Sequence, residues 1–217
     1  LEEVYNALTY IEPFKEQLQK YIYDHIQEQY KPNNECVFYD VTNYYFEIDD
    51  SDELRKKGVS KEHKTSPIVQ MGLFMDMLGL PMCYKLFEGN INDCLTLRPM
   101  VQELQKNYDV GRVIVVADKG LNTGNNIAYN KVIGNGYVMS LSIRGANSEL
   151  KEFVLKENGY TYNSDKTYKK KSRLYPREIK ITKKDKNGKV TKTKSSVDEK
   201  QVIFWSADYA KRAKMER

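Results

Sequence analysis

The sequence predicts an α/β fold built around one mixed β-sheet, and three observations carry that expectation. Strand-like runs come first as a strand and a hairpin and alternate with helical runs only afterwards. The early strands should therefore pair antiparallel and the later ones in parallel, through crossovers. Two runs, VFYDVTNYYFE (37–47) and GRVIVVADKG (111–120), have nearly continuous apolar and aromatic centres, which reads as strands buried inside a sheet. Each sets an acid against that background, Asp40 in the first and Asp118 in the second. A buried carboxylate is costly unless something compensates its charge.

The elements follow in order. Val4, Leu8, Ile11, Phe14, Leu18, Ile22 and Ile26 recur at three- and four-residue spacing, which predicts a helix over 3–30. KPNNE (31–35) breaks it. The strand around Asp40 comes next, read as buried on both faces, and then a long polar loop over 47–66. PIVQMGLFMDMLGLPMCYKLFEGN (67–90) reads as two strands around the turn MLGLP. Thr96 is the expected N-cap of a helix running to about Asn107, with Pro99 in the first turn, where a missing N–H does no harm. The strand ending at Asp118 leads to a helix around 123–131, a strand GYVMSLSI (136–143) and a helix around 147–157. Composition changes after about Tyr160. Residues 166–194 hold 13 Lys and Arg against Glu178 and Asp185, a local net of +11, which leaves about −6 for the rest of a chain whose total is +5. Within that tract, β-formers alternate around KNGK, and Asn-Gly so flanked is a strong hairpin signal. The close, KQVIFWSADYAKRAKMER, predicts a short apolar strand and the start of a basic helix. Three segments result: an N-terminal helical segment over 1–35, an α/β core over 36–147 and a basic, β-rich segment over 148–217.

Composition narrows the class. With 217 residues the chain is long enough for one full domain and part of another. Three cysteines without a CxxC pair fit reduced thiols in a cytoplasmic protein, not a disulfide framework or a zinc site. LEEVYNALTY has neither the basic nor the apolar region of a secretory signal, and no run approaches ~18 apolar residues, so no membrane partner is expected. A chain that starts with Leu reads as a piece of a longer protein.

The two acids carry the chemistry. On adjacent strands they would converge at one edge of the sheet, where paired carboxylates repel unless a proton or a cation lies between them. Oxygen ligands of this kind suit Mg²⁺ or Mn²⁺. The competing structural role is equally concrete: Asp118 as a strand-end cap, Asp40 paired with a buried basic group.

YDVTNYYFE, GLFMDMLGLPMCYKLFEGNINDCLTL and VIVVADKGLNTGNN together resemble the catalytic core of bacterial insertion-sequence transposases of the DDE type. The likeness is to the branch whose ribonuclease H-like core is interrupted by a β-rich insertion. It covers about 36–145 well and the last third loosely. It implies that Asp40 and Asp118 are the first two catalytic, metal-binding acids, and that two metal ions serve the complete enzyme in DNA hydrolysis and strand transfer. It implies DNA as partner, both element ends and target, self-association of the complete protein, and a nucleoid-associated location. The family's third acid, a glutamate on a helix after the insertion within a Tyr–Arg–Glu signature, has no match here. Glu216, in AKRAKMER, is not assigned that role. The resemblance therefore implies a catalytic fragment that lacks its final catalytic helix and is inactive alone.

Other residues complete the candidate site. Asn90, Asn92 and Asp93 in GNIND could orient a phosphate or the metal shell, or form a plain Asx turn. Lys61, His63 and Lys64 in KGVSKEHK lie in a loop expected near the acids, and Lys119 could contact a phosphate or face solvent. GLNTGNN lacks the spacing of a phosphate-binding loop. In the basic tract, Lys183, Lys184, Lys186 and Lys189 are candidate DNA contacts, and Tyr160, Tyr162, Tyr168 and Tyr175 interleave with cations in a way that suits stacking or packing. Two further functions fit the same residues: a ribonuclease H-like nuclease without strand transfer, and a non-catalytic DNA-binding remnant of a decayed element.

Overall fold

The computed structural model describes residues 1–31, 34–58, 66–108 and 110–215 and divides the chain into two units, Leu1–Ser140 and Leu141–Arg217. The first unit is organised by five strands: β1 (Cys36–Tyr45), β2 (Ile68–Met75), β3 (Pro81–Glu88), β4 (Ile114–Ala117) and β5 (Gly136–Met139). Their order across the sheet is β3-β2-β1-β4-β5. The β1–β2 and β2–β3 pairs are antiparallel, while β1–β4 and β4–β5 are parallel. This is the mixed sheet that the order of segments predicts.

β1 is not buried on both faces. Val37, Tyr39 and Val41 are buried, whereas Phe38, Asp40 and Thr42 between them are exposed. The buried side packs on Leu97, Met100, Val101 and Leu104 of α3 (Leu97–Asn107), an i, i+3, i+4, i+7 stripe. Phe38, Tyr44, Ile114 and Val138 remain 39–57% exposed. Aromatic residues at those positions made a one-sided strand look two-sided.

A buried polar chain ties the loop before α3 to the sheet. The Tyr39 hydroxyl donates to Thr96 Oγ1 at 2.7 Å, and Thr96 Oγ1 donates to the Asp93 carbonyl at 2.7 Å. Gln70 Nε2 on β2 donates to Asp93 Oδ1 at 3.1 Å. Thr96 holds the expected N-cap position of α3, but its backbone is already helical and its side chain makes no capping bond, its hydroxyl being engaged by Tyr39 and the Asp93 carbonyl. Asn92 instead caps the short 3₁₀ turn Asp93–Leu95, accepting from the Cys94 N–H at 3.1 Å. After β4, Thr123 caps α4 (Gly124–Val132), and Asn126 Nδ2 donates to the carbonyls of Cys94 and Leu121 at 2.9 and 3.0 Å.

The single helix expected over 3–30 is divided at Pro13 into α1 (Glu2–Ile11), a 3₁₀ turn and α2 (Lys15–Tyr30). Its predicted apolar stripe stays largely exposed. α1 buries nothing, and α2 buries only Tyr23, set edge-on to Tyr108 with ring centroids 5.0 Å apart. α2 covers the sheet edge instead: Gln19 Oε1 accepts from the Tyr84 N–H on β3 at 3.0 Å.

The second unit contains α5 (Ser148–Leu155), β6 (Thr161–Tyr162), β7 (Tyr168–Lys184), β8 (Val190–Ser206) and α6 (Ala207–Met215). β7 and β8 pair along their whole length, so the apolar run QVIFW is the root of the basic hairpin's return strand and not a separate strand. The turn is wider than a two-residue Asn-Gly turn. Gly188 alone takes a positive φ, +80°, and Asp185 Oδ1 accepts from the N–H groups of Asn187 and Lys189 at 2.9 and 2.8 Å. Among the described residues no helix is long and apolar enough to cross a membrane.

Gly89 follows β3 where the backbones of Ile68 and Lys56 close over it, so a Cβ there would run into both carbonyl oxygens. Gly89→Ala should cost about 1–3 kcal/mol or more by forcing this backbone apart, read as a lower urea midpoint. Gly111→Ala, where a Cβ meets nothing within 4 Å, should leave the midpoint unchanged.

Candidate metal centre and nucleic-acid interface

The parallel register of β1 and β4 sets Tyr39 beside Ala117. The residue after each is an acid: Asp40 lies within β1, and Asp118 stands just past the end of β4, so both follow a paired position on strands that run about 4.8 Å apart. Both are exposed. Asp40 Oδ1 accepts from the Val41 N–H at 2.8 Å. Among the described residues no buried basic group pairs with it, and on an open face none is required. Asp118 does act as a strand-end cap: Oδ1 accepts from the N–H groups of Gly120 at 2.9 Å and Leu121 at 3.3 Å. These bonds engage one oxygen of each carboxylate and leave the other to solvent. Beneath them Tyr39 stays a neutral phenol. Burial pushes its pKa far up, against the bond to Thr96, and the charges of Asp93 and Asp40 add to the rise.

The donor set fits a hard divalent cation. Mg²⁺ and Mn²⁺ take carboxylate oxygens, and Mg²⁺ keeps several waters and needs only one or two protein carboxylates. Among the described residues no group of three or more His, Cys, Asp or Glu comes together to hold a metal, so Asp40 and Asp118 have no third protein carboxylate. Cysteine chemistry does not compete at Cys83, whose thiol is pushed up to about 12 by burial, with Glu103 adding to the rise.

The structure spreads the remaining candidates. Asn90 is exposed beyond the end of β3, two strands from β1. Asn92 and Asp93 form the Asx turn and the Gln70 contact, both structural. Lys119 is exposed beside Asp118. Lys61, His63 and Lys64 lie outside the described residues. The described stretch before them ends at Gly58, packed so closely on Gly89 that a Cβ there would meet the Gly89 carbonyl.

In the second unit Lys183, Lys184, Lys186 and Lys189 are all exposed around the hairpin turn. Nearer the root, the cations are already occupied. Lys169 pairs with Glu157 at 2.6 Å and lies over the Tyr160 ring at 4.5 Å. Lys171, 6% exposed, donates to the Lys156 carbonyl at 2.5 Å and lies over Tyr160 and Phe153. Arg173 binds Gln201 and Glu149 at 2.8 and 3.0 Å and stacks on Phe153 and Tyr175. Arg177 pairs with Glu199 at 3.2 Å. The interleaving of tyrosines and cations is thus packing at Tyr160, Tyr162 and Tyr175, while Tyr168 stacks on the exposed Phe204. Sequence reading missed the acids that anchor this root. Glu149 and Phe153 share a face of α5 at i, i+4, a spacing that could have revealed them.

No protein-family model and no curated protein sequence matches the chain. Among solved structures, similarity is found to a Mos1 transposase paired-end complex with left transposon end (11% identity, TM-score 0.34, covering 56% of this chain and 40% of that one). It is also found to the Mos1 mariner paired end complex with Mn (12%, TM-score 0.32, 55% and 40%) and to a piggyBac transposase synaptic complex with hairpin DNA (14%, TM-score 0.39, 77% and 34%). The chain thus spans less than half the length of each. At TM-scores below 0.5 these likenesses carry no argument about it.

The cap and any metal role of Asp118 can be separated. Asp118→Ala should lose about 1 kcal/mol through the cap, whereas Asp118→Asn, which keeps an accepting oxygen, should stay within a few tenths. Chemical denaturation of both variants measures the difference.

Proposed function

We propose that this chain is part of the catalytic core of a DDE-type transposase, acting on DNA phosphodiesters, with Asp40 and Asp118 as two of its metal-binding acids. The observation that carries the reading is that each acid directly follows the Tyr39–Ala117 pair, Asp40 in β1 and Asp118 at the end of β4, on neighbouring central strands of a β3-β2-β1-β4-β5 sheet. The motif resemblance assigns the same two residues independently.

Each side chain has a definable task. The amides of Gly120 and Leu121 fix one oxygen of Asp118 and leave the other to a ligand, as the Val41 amide does for Asp40. Tyr39, neutral and held by Thr96, keeps the floor beneath them uncharged. Lys119 stands beside Asp118, where its ammonium can meet a phosphate. Asp40 and Asp118 would hold a divalent ion, which when bound would supply Lewis-acid polarisation of a phosphodiester. The resemblance implies two such ions in the complete enzyme. It also implies hydrolysis at the element end, attack of the freed 3′-hydroxyl on target DNA, and no covalent enzyme intermediate.

The resemblance likewise carries the insertion-sequence context, self-association, and a cytoplasmic, nucleoid-associated setting. The resemblance implies a third acid, a glutamate in a Tyr–Arg–Glu signature, and no stretch of this sequence matches that signature. Lys183, Lys184, Lys186 and Lys189 would grip DNA phosphates.

Titration calorimetry tests the site. Mn²⁺ should bind the wild-type chain weakly and fail to bind Asp40→Asn or Asp118→Asn, and the chain alone should transfer no DNA strand. Tight binding that survives both substitutions would sink the metal assignment. The DNA assignment is tested by a salt titration of duplex affinity. Changing Lys183, Lys184, Lys186 and Lys189 together to Gln should weaken binding to any duplex and flatten its salt slope by about 0.9 for every phosphate no longer neutralised.

A further inference from the structure

Successive residues of a strand point to opposite faces, and the β7–β8 register pairs odd numbers with odd and even with even. The hairpin therefore has an odd-numbered and an even-numbered face, and the two differ in how their charge is met. On the odd face Lys169, Lys171, Arg173 and Arg177 are each held by an acid, a carbonyl or aromatic rings, and Lys183, next to the turn, is exposed. On the even face stand Lys170, Lys180 and Lys184 from β7 and Lys192, Lys194 and Lys200 from β8, against only Glu178 and Asp198. All six lysines are exposed. One of them, Lys194, forms an ion pair, with Glu178 at 3.0 Å.

Two details argue against a merely solvated face. Lys180 sits directly opposite Lys194, an arrangement of like charges that destabilises a sheet. The rootward half of the same face leaves Leu174, Val202 and Phe204 bare at 81, 57 and 68% exposure, between Lys170 and Lys200. Unneutralised cations flanking exposed apolar groups match a polyanion that offers phosphates and, between them, sugar surface. At about 3.3 Å per residue, strands of this length reach roughly 55 Å, well beyond the roughly 34 Å of one B-DNA turn.

We propose that the even-numbered face, not the turn alone, lies along the nucleic-acid backbone, with Lys170, Lys180, Lys192 and Lys200 binding phosphates. This rests on the reading of the basic hairpin as a DNA-binding element and names which of its surfaces is used.

The test is a salt titration of duplex affinity on the full chain, using a labelled duplex long enough to span the hairpin. It compares wild type, the fourfold turn variant at Lys183, Lys184, Lys186 and Lys189, and a face variant with Lys170→Gln, Lys180→Gln, Lys192→Gln and Lys200→Gln. Every lysine–phosphate pairing removed should lower the slope of log K against log salt by about 0.9, so the face variant should fall by as much as about 3.6. Because the four side chains are exposed, its unfolding midpoint should not fall. A face variant with the wild-type slope, beside a turn variant whose slope falls, would overturn this proposal and leave the hairpin as a DNA element used at its turn. Wild-type slopes in both variants would remove the hairpin from DNA binding altogether. Wild-type protein that ignores the duplex but binds polyglutamate through these lysines would assign the face to an acidic protein, and would overturn the proposal equally.

Discussion

The backbone of β1 pairs on both of its edges, antiparallel to β2 and parallel to β4, and the first unit is arranged around that double engagement. The antiparallel side is local, made by a strand and a hairpin close in sequence. The parallel side must wait for the chain to pass through α3, because a parallel neighbour needs a crossover. Once both are in place, the register leaves no choice about the acids. Tyr39 lies beside Ala117, and the residue after each is an acid, Asp40 still in β1 and Asp118 at the exit from β4. The placing of Asp40 and Asp118 at the ends of one register pair is thus a property of backbone pairing, with no side-chain contact needed to enforce it.

The face beneath explains why the register holds. Val37, Tyr39 and Val41 meet the apolar stripe of α3, so a slip of one residue would turn these three outward and Asp40 inward. The Tyr39–Thr96–Asp93–Gln70 chain of hydrogen bonds adds direction to that packing, since buried polar groups are satisfied in one arrangement only. Carboxylate position and core packing are consequently specified by alternate residues of one strand.

What could be read from the sequence followed from local pattern. The turn MLGLP, the helical stripe Leu97–Leu104 and the strand VIVVA each signal their structure within a dozen residues, and the mixed sheet follows from their order. The misreadings have equally physical causes. Phe38 and Tyr44 on the open face mimicked burial, because exposed aromatic residues are indistinguishable by composition from core ones. Pro13 was absorbed into an otherwise regular helical period. Thr96 has the residue type of a cap, but its hydroxyl is engaged by a residue 57 positions away. The root of the hairpin was opaque for the same reason: Arg173 meets Glu149, 24 residues distant, and no periodicity reports such a pair.

The hairpin is not equally supported along its length. Near its root, β6 adds a third strand to the sheet, and the ion pairs to Glu149 on α5 and to Glu157 after it brace the two long strands. Beyond Ile181 on β7 and before Val197 on β8 no residue is buried. Two strands without further packing are only marginally stable. The element is in mechanical terms a cantilever, clamped at one end by electrostatics and aromatic packing and compliant at the other. Such a beam can bend at its outer part to follow a curved surface while its base stays in register, so adaptation to the contour of a partner would cost the rest of the unit nothing.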